Sequence, residues 1–105
     1  MHDEDYRELS KQELDKALEK MPGWKIAEGK LHRSFEFGDF AEAFAFMTHV
    51  AIEADKLNHH PEWSNVYNHV TIALVTHDIG NKVSNYDVIL AQKISEIAAS
   101  SRRAG

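Results

Sequence analysis

The feature that most constrains the fold is one long apolar pattern at helical spacing in the middle of the chain. Between Asp39 and Asn58, apolar residues recur as in a helix that buries one face. Asp39 can cap the first turn, and Pro61 disfavours helical geometry in the residue before it. A central helix of this length divides the remaining segments into two groups. The residues predicted to face the core are Phe40, Ala43, Phe44, Met47, Val50, Ala51, Ala54 and Leu57.

The segments before this helix are typical of a β-hairpin. Residues 24–27 alternate apolar and polar side chains, and Glu28-Gly29 suits a tight turn. The returning strand places Leu31, Phe35 and Phe37 on one face.

A second hairpin is predicted after the helix. Residues 63–67 form one strand, Asn68-His69 the turn, and residues 70–77 the other strand. The last segment is rich in β-branched residues, which favours an interior position in the sheet.

Capping patterns define the first and last helices. Ser10 and Glu13 form an S-x-x-E capping box, and Ser84 and Asp87 form an S-x-x-D box. The predicted order is therefore α-β-β-α-β-β-α. It indicates an α+β fold, with one four-stranded antiparallel sheet and helices packed on one face. We expect residues 1–105 to form a single domain, whose other sheet face is solvated or paired with another subunit.

Charge and cysteine content exclude several classes of function. The formal net charge is −5 and the sequence pI about 5.7, so a basic face for nucleic acid or anionic membrane is not expected. The chain has no cysteine, which excludes disulfides, thiolate catalysis and cysteine-based zinc sites. No apolar run reaches membrane-spanning length. We therefore expect a cytoplasmic protein that acts on neither membranes nor, directly, nucleic acid.

Three histidines are predicted to meet at one end of the sheet. His59 and His60, in the stretch Asn-His-His-Pro-Glu-Trp, precede the third strand, and His77 ends the fourth. The start of one hairpin strand and the end of the other are neighbours. Asp87, at the start of the last helix, is predicted to face the same corner.

The residues alone leave three interpretations of this cluster open. Imidazoles beside a carboxylate suit general acid–base catalysis, because histidine exchanges protons near neutral pH. Three histidines and an acid can also bind zinc, although adjacent histidines in an extended chain point apart and no H-E-x-x-H spacing is present. The third interpretation is purely structural. Surface or boundary positions are predicted for the other histidines, namely His2, His32, His49 and His69.

A longer pattern extends beyond the histidines. The run FMTHVAIEADKLNHHPEWSNVYNHVTIALVTHD is followed by SNYD and by the helix LAQKISEIA. An upstream block from Trp24 to Phe40 reads W-K-I-x-E-G-K-L-x-R-x-F-x-F-x-D-F. Together these blocks resemble the pterin-4a-carbinolamine dehydratase family over nearly the whole chain.

The resemblance implies a metal-free hydro-lyase that needs no cofactor, because the pterin is its substrate. The implied reaction removes water from the 4a-hydroxytetrahydropterin left by aromatic amino acid hydroxylases, giving quinonoid dihydropterin and supporting tetrahydropterin recycling. It makes His60 the base, with His59 and His77 assisting departure of the hydroxyl. Asp55 occupies the acidic position of the motif, behind the histidines. The residues implied to bind substrate are Asn58, Pro61, Trp63, Val75, Thr76 and Asp87, of which Asp87 orients either a histidine or the pterin.

The resemblance also implies protein partners. Family members form dimers that extend the sheet and tetramers that pack helices together. Vertebrate members act in addition as dimerisation cofactors of a homeodomain transcription factor, which implies a nuclear as well as a cytoplasmic location. The candidate contact surface is the Phe44-Met47-Ala51 region. A third alternative is a protein that binds pterin without turnover.

Overall fold

The computed structural model describes residues 6–103, with side chains described through Ser101. Its strands form one antiparallel sheet in the order β1-β2-β4-β3, with the helices on one face, which confirms the predicted α+β fold and element order. Within the described residues, no helix is both long and apolar enough to cross a membrane. A 3₁₀ turn, His77–Ile79, precedes the last helix. The elements are α1 Lys11–Glu19, β1 Lys25–Ala27, β2 Lys30–Glu36, α2 Phe40–Leu57, β3 Glu62–Val66, β4 His69–Leu74 and α3 Asn85–Arg103.

The pairing of β2 with β4 joins the two hairpins into one sheet. Leu31 lies opposite Leu74, and Phe35 lies opposite Val70. All four of these side chains are buried on the face that carries α2 and α3. The opposite face of the same strands carries mainly polar residues such as Glu36, so the sheet is apolar on one side only.

The predicted caps of α1 and α2 are present, whereas the predicted Ser84–Asp87 box of α3 is only half formed: Asp87 accepts from the Ser84 N–H, but the Ser84 hydroxyl accepts from the Tyr86 N–H. Ser10 and Glu13 form the reciprocal capping box of α1, and hydrogen bonds from the Ser10 N–H and from Arg7 hold the pKa of Glu13 below its ordinary value of 4.5. The Asp39 carboxylate accepts a hydrogen bond from the Glu42 N–H at 2.8 Å. α2 ends at Asn58, whose left-handed backbone (φ 55°, ψ 42°) turns the chain out of the helix.

The predicted buried face of α2 was partly wrong. Phe44 is 52% exposed and Phe40 is also exposed, whereas Phe46 is fully buried against Phe35 and Phe37. The start of α2 is apolar on almost every side, so spacing alone does not identify the face that packs on the sheet. Ala51, also predicted to face the core, is exposed. The buried residues of α2 are Ala43, Phe46, Val50 and Ala54.

The second hairpin differs from the prediction at its turn. Val66 pairs with His69, so the turn is Tyr67-Asn68 and not Asn68-His69. Tyr67 has a positive φ of 54°, and the Asn65 amide donates hydrogen bonds to the carbonyls of Tyr67 and His69. These side-chain bonds support a turn one residue earlier than composition indicated.

The fourth strand is shorter than predicted. It ends at Leu74, and Thr76 forms an isolated bridge with Lys82. His77 therefore begins the 3₁₀ turn and does not end the strand. The Thr76 carbonyl accepts from the Asn81 N–H at 3.1 Å, which closes this loop locally.

Phe46→Ala should lower the free energy of unfolding by about 3–5 kcal/mol, because it empties a fully buried aromatic position. The matched control is His49→Ala, an exposed position one turn further along the same helix, where a change within about 0.5 kcal/mol is expected. Urea unfolding of the two variants measures both values. Equal stability of the two variants would show that Phe46 does not belong to the core.

Candidate active site

The three predicted histidines line one cavity of about 400 Å³, a size typical of small-molecule sites. It lies where α2 ends, β3 begins and the chain leaves β4. This confirms that the histidines meet at one end of the sheet. The lining residues are Tyr6, Asn58, His59, His60, Pro61, Glu62, Val75, Thr76, His77 and Asp78.

The backbone after α2 directs the two adjacent histidines to different environments. The His59 N–H donates to the Ala54 carbonyl at 3.1 Å, so the backbone of His59 is still hydrogen-bonded to the last turn of α2. His59 is buried, whereas His60 is exposed. The two rings therefore have different environments, although both line the cavity.

His59 is held by the buried carboxylate of Asp87. His59 Nε2 lies 2.5 Å from Asp87 Oδ1, and Asp87 is fully inaccessible to solvent. The other carboxylate oxygen accepts from the Thr76 hydroxyl and from the Ser84 N–H, each at 2.8 Å. Since Thr76 donates to Asp87, it accepts in turn from the Ser84 hydroxyl at 2.6 Å. Through Asp87, this hydrogen-bond network holds the ring of His59 in place.

His60 and Asp55 form a much looser pair. His60 Nε2 lies 3.2 Å from Asp55 Oδ1, and the Asp55 side chain is 84% exposed. A contact of this kind contributes little to stability. It leaves the His60 ring free to adjust to a molecule in the cavity.

His77 contacts a carboxylate that is itself paired with a lysine. His77 Nε2 lies 2.9 Å from Glu62 Oε2, and Lys30 Nζ lies 2.7 Å from Glu62 Oε1. The hydrogen bonds from Lys30 and then from His77 hold the pKa of Glu62 below its ordinary value of 4.5. Glu62 therefore stays ionised where an isolated glutamate begins to take up a proton.

All three histidines present the same ring nitrogen, Nε2, to a different carboxylate. A carboxylate in its ionised form only accepts hydrogen bonds, and Nε2 carries the hydrogen whenever its partner is in that form. Nδ1 is then the nitrogen left to exchange a proton with a ligand. Among the residues that the structure describes, no three His, Asp or Glu side chains converge in a way that could hold one metal ion.

Two tyrosines pack around His59. The rings of Tyr6 and Tyr86 meet edge to face at 4.8 Å between centroids, and each centroid lies 5.8 Å from that of His59. Tyr6 reaches this position because Arg7 exchanges hydrogen bonds with Asn85 at the start of α3. This packing keeps His59 in a mainly aromatic environment.

The sequence prediction missed three residues at this site: Tyr6, Glu62 and Tyr86. Glu62 stands inside the quoted His-His-Pro-Glu-Trp stretch, and alternation along β3 could have separated it from Trp63. Nothing in the sequence indicates that Tyr6 meets His59, because the contact depends on how the N-terminal segment packs beside α3.

Two predicted substrate-binding residues do not line the histidine cavity. Trp63 points to the core face of β3, opposite Glu62, and lines a neighbouring hollow that His60 and Pro61 also line. Asp87 is enclosed and contacts the cavity-lining residues His59 and Thr76 from the protein interior. A role for either residue in binding substrate stays a prediction.

The described histidines among those predicted to be ordinary lie away from this cavity. His49 and His69 are exposed and His32 is half-buried, as expected for surface or boundary positions. His2 lies outside the described residues.

Comparison with known proteins gives a consistent result. Residues 7–97 match the family model described as pterin 4 alpha carbinolamine dehydratase. The chain is similar to two bacterial proteins named "Putative pterin-4-alpha-carbinolamine dehydratase". One, from Prochlorococcus marinus (strain MIT 9515), is 49% identical over 85% of this chain and 92% of the relative. The other, from Solibacter usitatus (strain Ellin6076), is 48% identical over 87% of this chain and 95% of the relative.

Solved structures are similar as well. A crystal structure described as a transcriptional coactivator/pterin dehydratase from Brucella melitensis superposes with a TM-score of 0.83 at 42% identity. It covers 88% of this chain and 99% of that chain. A pterin dehydratase-like protein identified as a RuBisCO assembly factor in the alpha-carboxysome is 21% identical over 71% of this chain and 86% of its own, with a TM-score of 0.58. The latter similarity concerns the fold alone.

Lys30→Met should raise the pKa of Glu62 toward 4.5, because it removes the largest contribution that lowers it. NMR titration of the Glu62 carboxyl carbon measures the change. Lys56→Met is the control, since Lys56 pairs with Glu53 and should leave Glu62 unaffected. An unchanged Glu62 titration in Lys30→Met would contradict the pairing.

The same lowered pKa predicts the sign of a stability effect. A carboxylate whose pKa is lower in the folded state stabilises the fold above its unfolded pKa, and this contribution is lost as the pH falls through the folded-state value. Acidification below pH 4.5 should therefore destabilise the wild type more than Glu62→Gln. The difference is small, because the Glu62 side chain is 40% exposed and solvent screens the pair.

Proposed function

Because the chain belongs to the pterin-4a-carbinolamine dehydratase family, we propose that it removes water from a 4a-hydroxytetrahydropterin to give quinonoid dihydropterin. The observation that carries this proposal is the cavity itself, in which three histidines are each paired through Nε2 with a separate carboxylate. The proposed physiological role is recycling of the tetrahydropterin after hydroxylation of an aromatic amino acid.

The reaction requires two proton transfers on neighbouring atoms. The C4a–O bond breaks and the oxygen leaves as water, because an acid supplies a proton to the poor hydroxide leaving group. A base removes the hydrogen of the adjacent ring nitrogen, and the electron pair of that N–H bond forms the new C=N bond. Histidine suits both tasks near neutral pH.

We assign the base to His60 and the hydroxyl-directed role to His59 and His77. His60 has the most exposed carboxylate partner, so its ring can follow the substrate and release its proton to solvent. His59 is fixed by buried Asp87 and is suited to a constant position beside the leaving oxygen. Asp55 and Asp87 are proposed to act through their histidines, and Asp87 orients His59 or, as the alternative, the pterin.

The remaining cavity residues are proposed to bind the pterin ring. Val75 and Thr76 are buried residues that line the cavity where the chain leaves β4. Asn58 and Pro61 border the cavity where α2 ends. Trp63 is proposed to contact a substituent of the ring from the neighbouring hollow, which it shares with His60.

We further propose that residues 1–105 form one domain that works as a homodimer or homotetramer. Most of the described buried apolar residues make one hydrophobic cluster, which supports a single domain. Phe40, Phe44 and Ile52 are about half exposed on α2, and association through this face would bury them. A cytoplasmic location fits a small-molecule substrate, and we propose no direct contact with membrane or nucleic acid.

A second candidate function is that of a dimerisation cofactor for a transcription factor. The similar Brucella protein is described as a transcriptional coactivator as well as a pterin dehydratase. The same exposed face of α2 would serve this role, with nuclear as well as cytoplasmic location. Binding of pterin without turnover is the third alternative. Substitution of the histidines separates these functions, because only turnover depends on proton transfer.

His60→Ala should lower the turnover number by about 10²-fold or more, the effect of losing a general base. A stopped-flow assay would generate the 4a-hydroxypterin with a hydroxylase and follow its loss. His49→Ala is the matched control, since His49 is exposed on α2 outside the cavity. A His60→Ala rate within about twofold of wild type would remove His60 from the proton transfer.

Exhaustive chelation should leave the activity unchanged, because proton transfer by histidine needs no metal. The same stopped-flow assay, run before and after treatment with a strong chelator, measures this. Activity that disappears on chelation and returns with zinc would overturn the metal-free mechanism.

A further inference from the structure

We propose that Lys30 and Glu62 form a positioning device for His77, which holds its Nε2–H against Glu62 and leaves Nδ1 as the nitrogen that exchanges a proton with substrate. This assignment deepens the proposed dehydratase function and rests on it. Neither Lys30 nor Glu62 needs to change protonation state in the reaction.

The first ground is that the His77 side chain is not held in place by burial. Its side chain is 65% exposed, and it stands at the start of the 3₁₀ turn after the strand has ended. An exposed histidine in such a turn samples several side-chain rotamers. Glu62, at 2.9 Å, orients the ring toward the cavity that both residues line.

The second ground is that Glu62 is itself fixed across the sheet. Glu62 lies on β3 and Lys30 on β2, on either side of the central strand β4. Ala73 of β4 is the register partner of Glu62, and its small side chain leaves room for the two long side chains to meet above it. The Lys30–Glu62 contact of 2.7 Å therefore anchors the carboxylate to two strands.

The third ground is the chemistry of a carboxylate beside an imidazole. An ionised Glu62 accepts from Nε2–H, whereas a protonated Glu62 could donate to Nε2 and allow the hydrogen to sit on Nδ1. Lys30 favours the ionised form of Glu62 and so removes that second tautomer. The other titratable groups that line the cavity are Tyr6, His59, His60 and Asp78.

The three histidine–carboxylate pairs differ in how deeply the carboxylate is buried. Asp87 is fully buried and held by Thr76 and Ser84, Asp55 is almost fully exposed, and Glu62 is intermediate. At Glu62, the lysine holds the carboxylate in place, as the hydrogen bonds from Thr76 and Ser84 do at Asp87. The His77 ring is thus held in one orientation although its side chain stays exposed to solvent.

Glu62→Gln is the direct test, because an amide both donates and accepts and no longer selects one tautomer. We expect the turnover number to fall about tenfold, while KM stays within about twofold. This is a smaller loss than the about 10²-fold expected when an acid–base group itself is removed. The ¹⁵N shifts of the His77 ring should change from an Nε2–H pattern to a mixture. If Glu62 instead bound substrate, KM would rise and the nitrogen shifts would stay those of wild type.

Glu36→Gln is the matched control. Glu36 pairs with His69 at 3.5 Å on the same sheet face but outside the cavity, so kinetics and His77 spectra should stay those of wild type. Lys30→Met should lower the turnover number, as Glu62→Gln does. Lys30→Arg should have a turnover number close to that of the wild type, because arginine keeps the positive charge. These Lys30 variants test the device even if Glu62→Gln does not fold.

The two proposals fail in different ways. A wild-type protein without dehydratase activity would remove the proposed function, and the His77 nitrogen spectra would then decide the positioning role alone. An active wild type in which Glu62→Gln behaves like Glu36→Gln, in both turnover and spectra, would overturn the positioning role and leave the dehydratase in place.

Discussion

The arrangement of the site depends on one buried carboxylate, that of Asp87. A charge without access to water is costly unless it is fully hydrogen-bonded, and Asp87 obtains its partners from three separate parts of the chain. His59 follows α2, Thr76 follows β4, and Ser84 precedes α3. The folded state therefore satisfies this charge only when these three segments meet, and their meeting point is the base of the histidine cavity.

The other two histidines use the same chemistry with less burial. His60 is paired with a solvent-exposed aspartate, and His77 is paired with a glutamate that a lysine holds in place. The antiparallel hairpin makes the His77–Glu62 pair possible, because it brings the start of β3 beside the end of β4, whereas Asp55 lies on α2 close to His60 in the chain. One end of the sheet thus carries three imidazoles whose burial differs, although each contacts a carboxylate through Nε2.

Local rules predicted most of the fold. The Ser10 and Asp39 caps and the alternating hairpin segments depend on residues within a few positions of each other, and the structure confirms them. Prediction failed where two solutions were locally equivalent. The spacing of α2 allowed either Phe44 or Phe46 to face the core, and only packing against Phe35 of the sheet selects Phe46.

The sequence by itself determined the elements, their order, and the meeting of His59, His60 and His77 at one end of the sheet, because these follow from periodicity and from the geometry of a hairpin. Only the tertiary structure decided which carboxylate each histidine contacts and how deeply each pair is buried. The Lys30–Glu62 contact and the Tyr6 ring beside His59 join residues that are far apart in the chain. Such distances depend on how the sheet and helices pack, and no local pattern in the sequence encodes them.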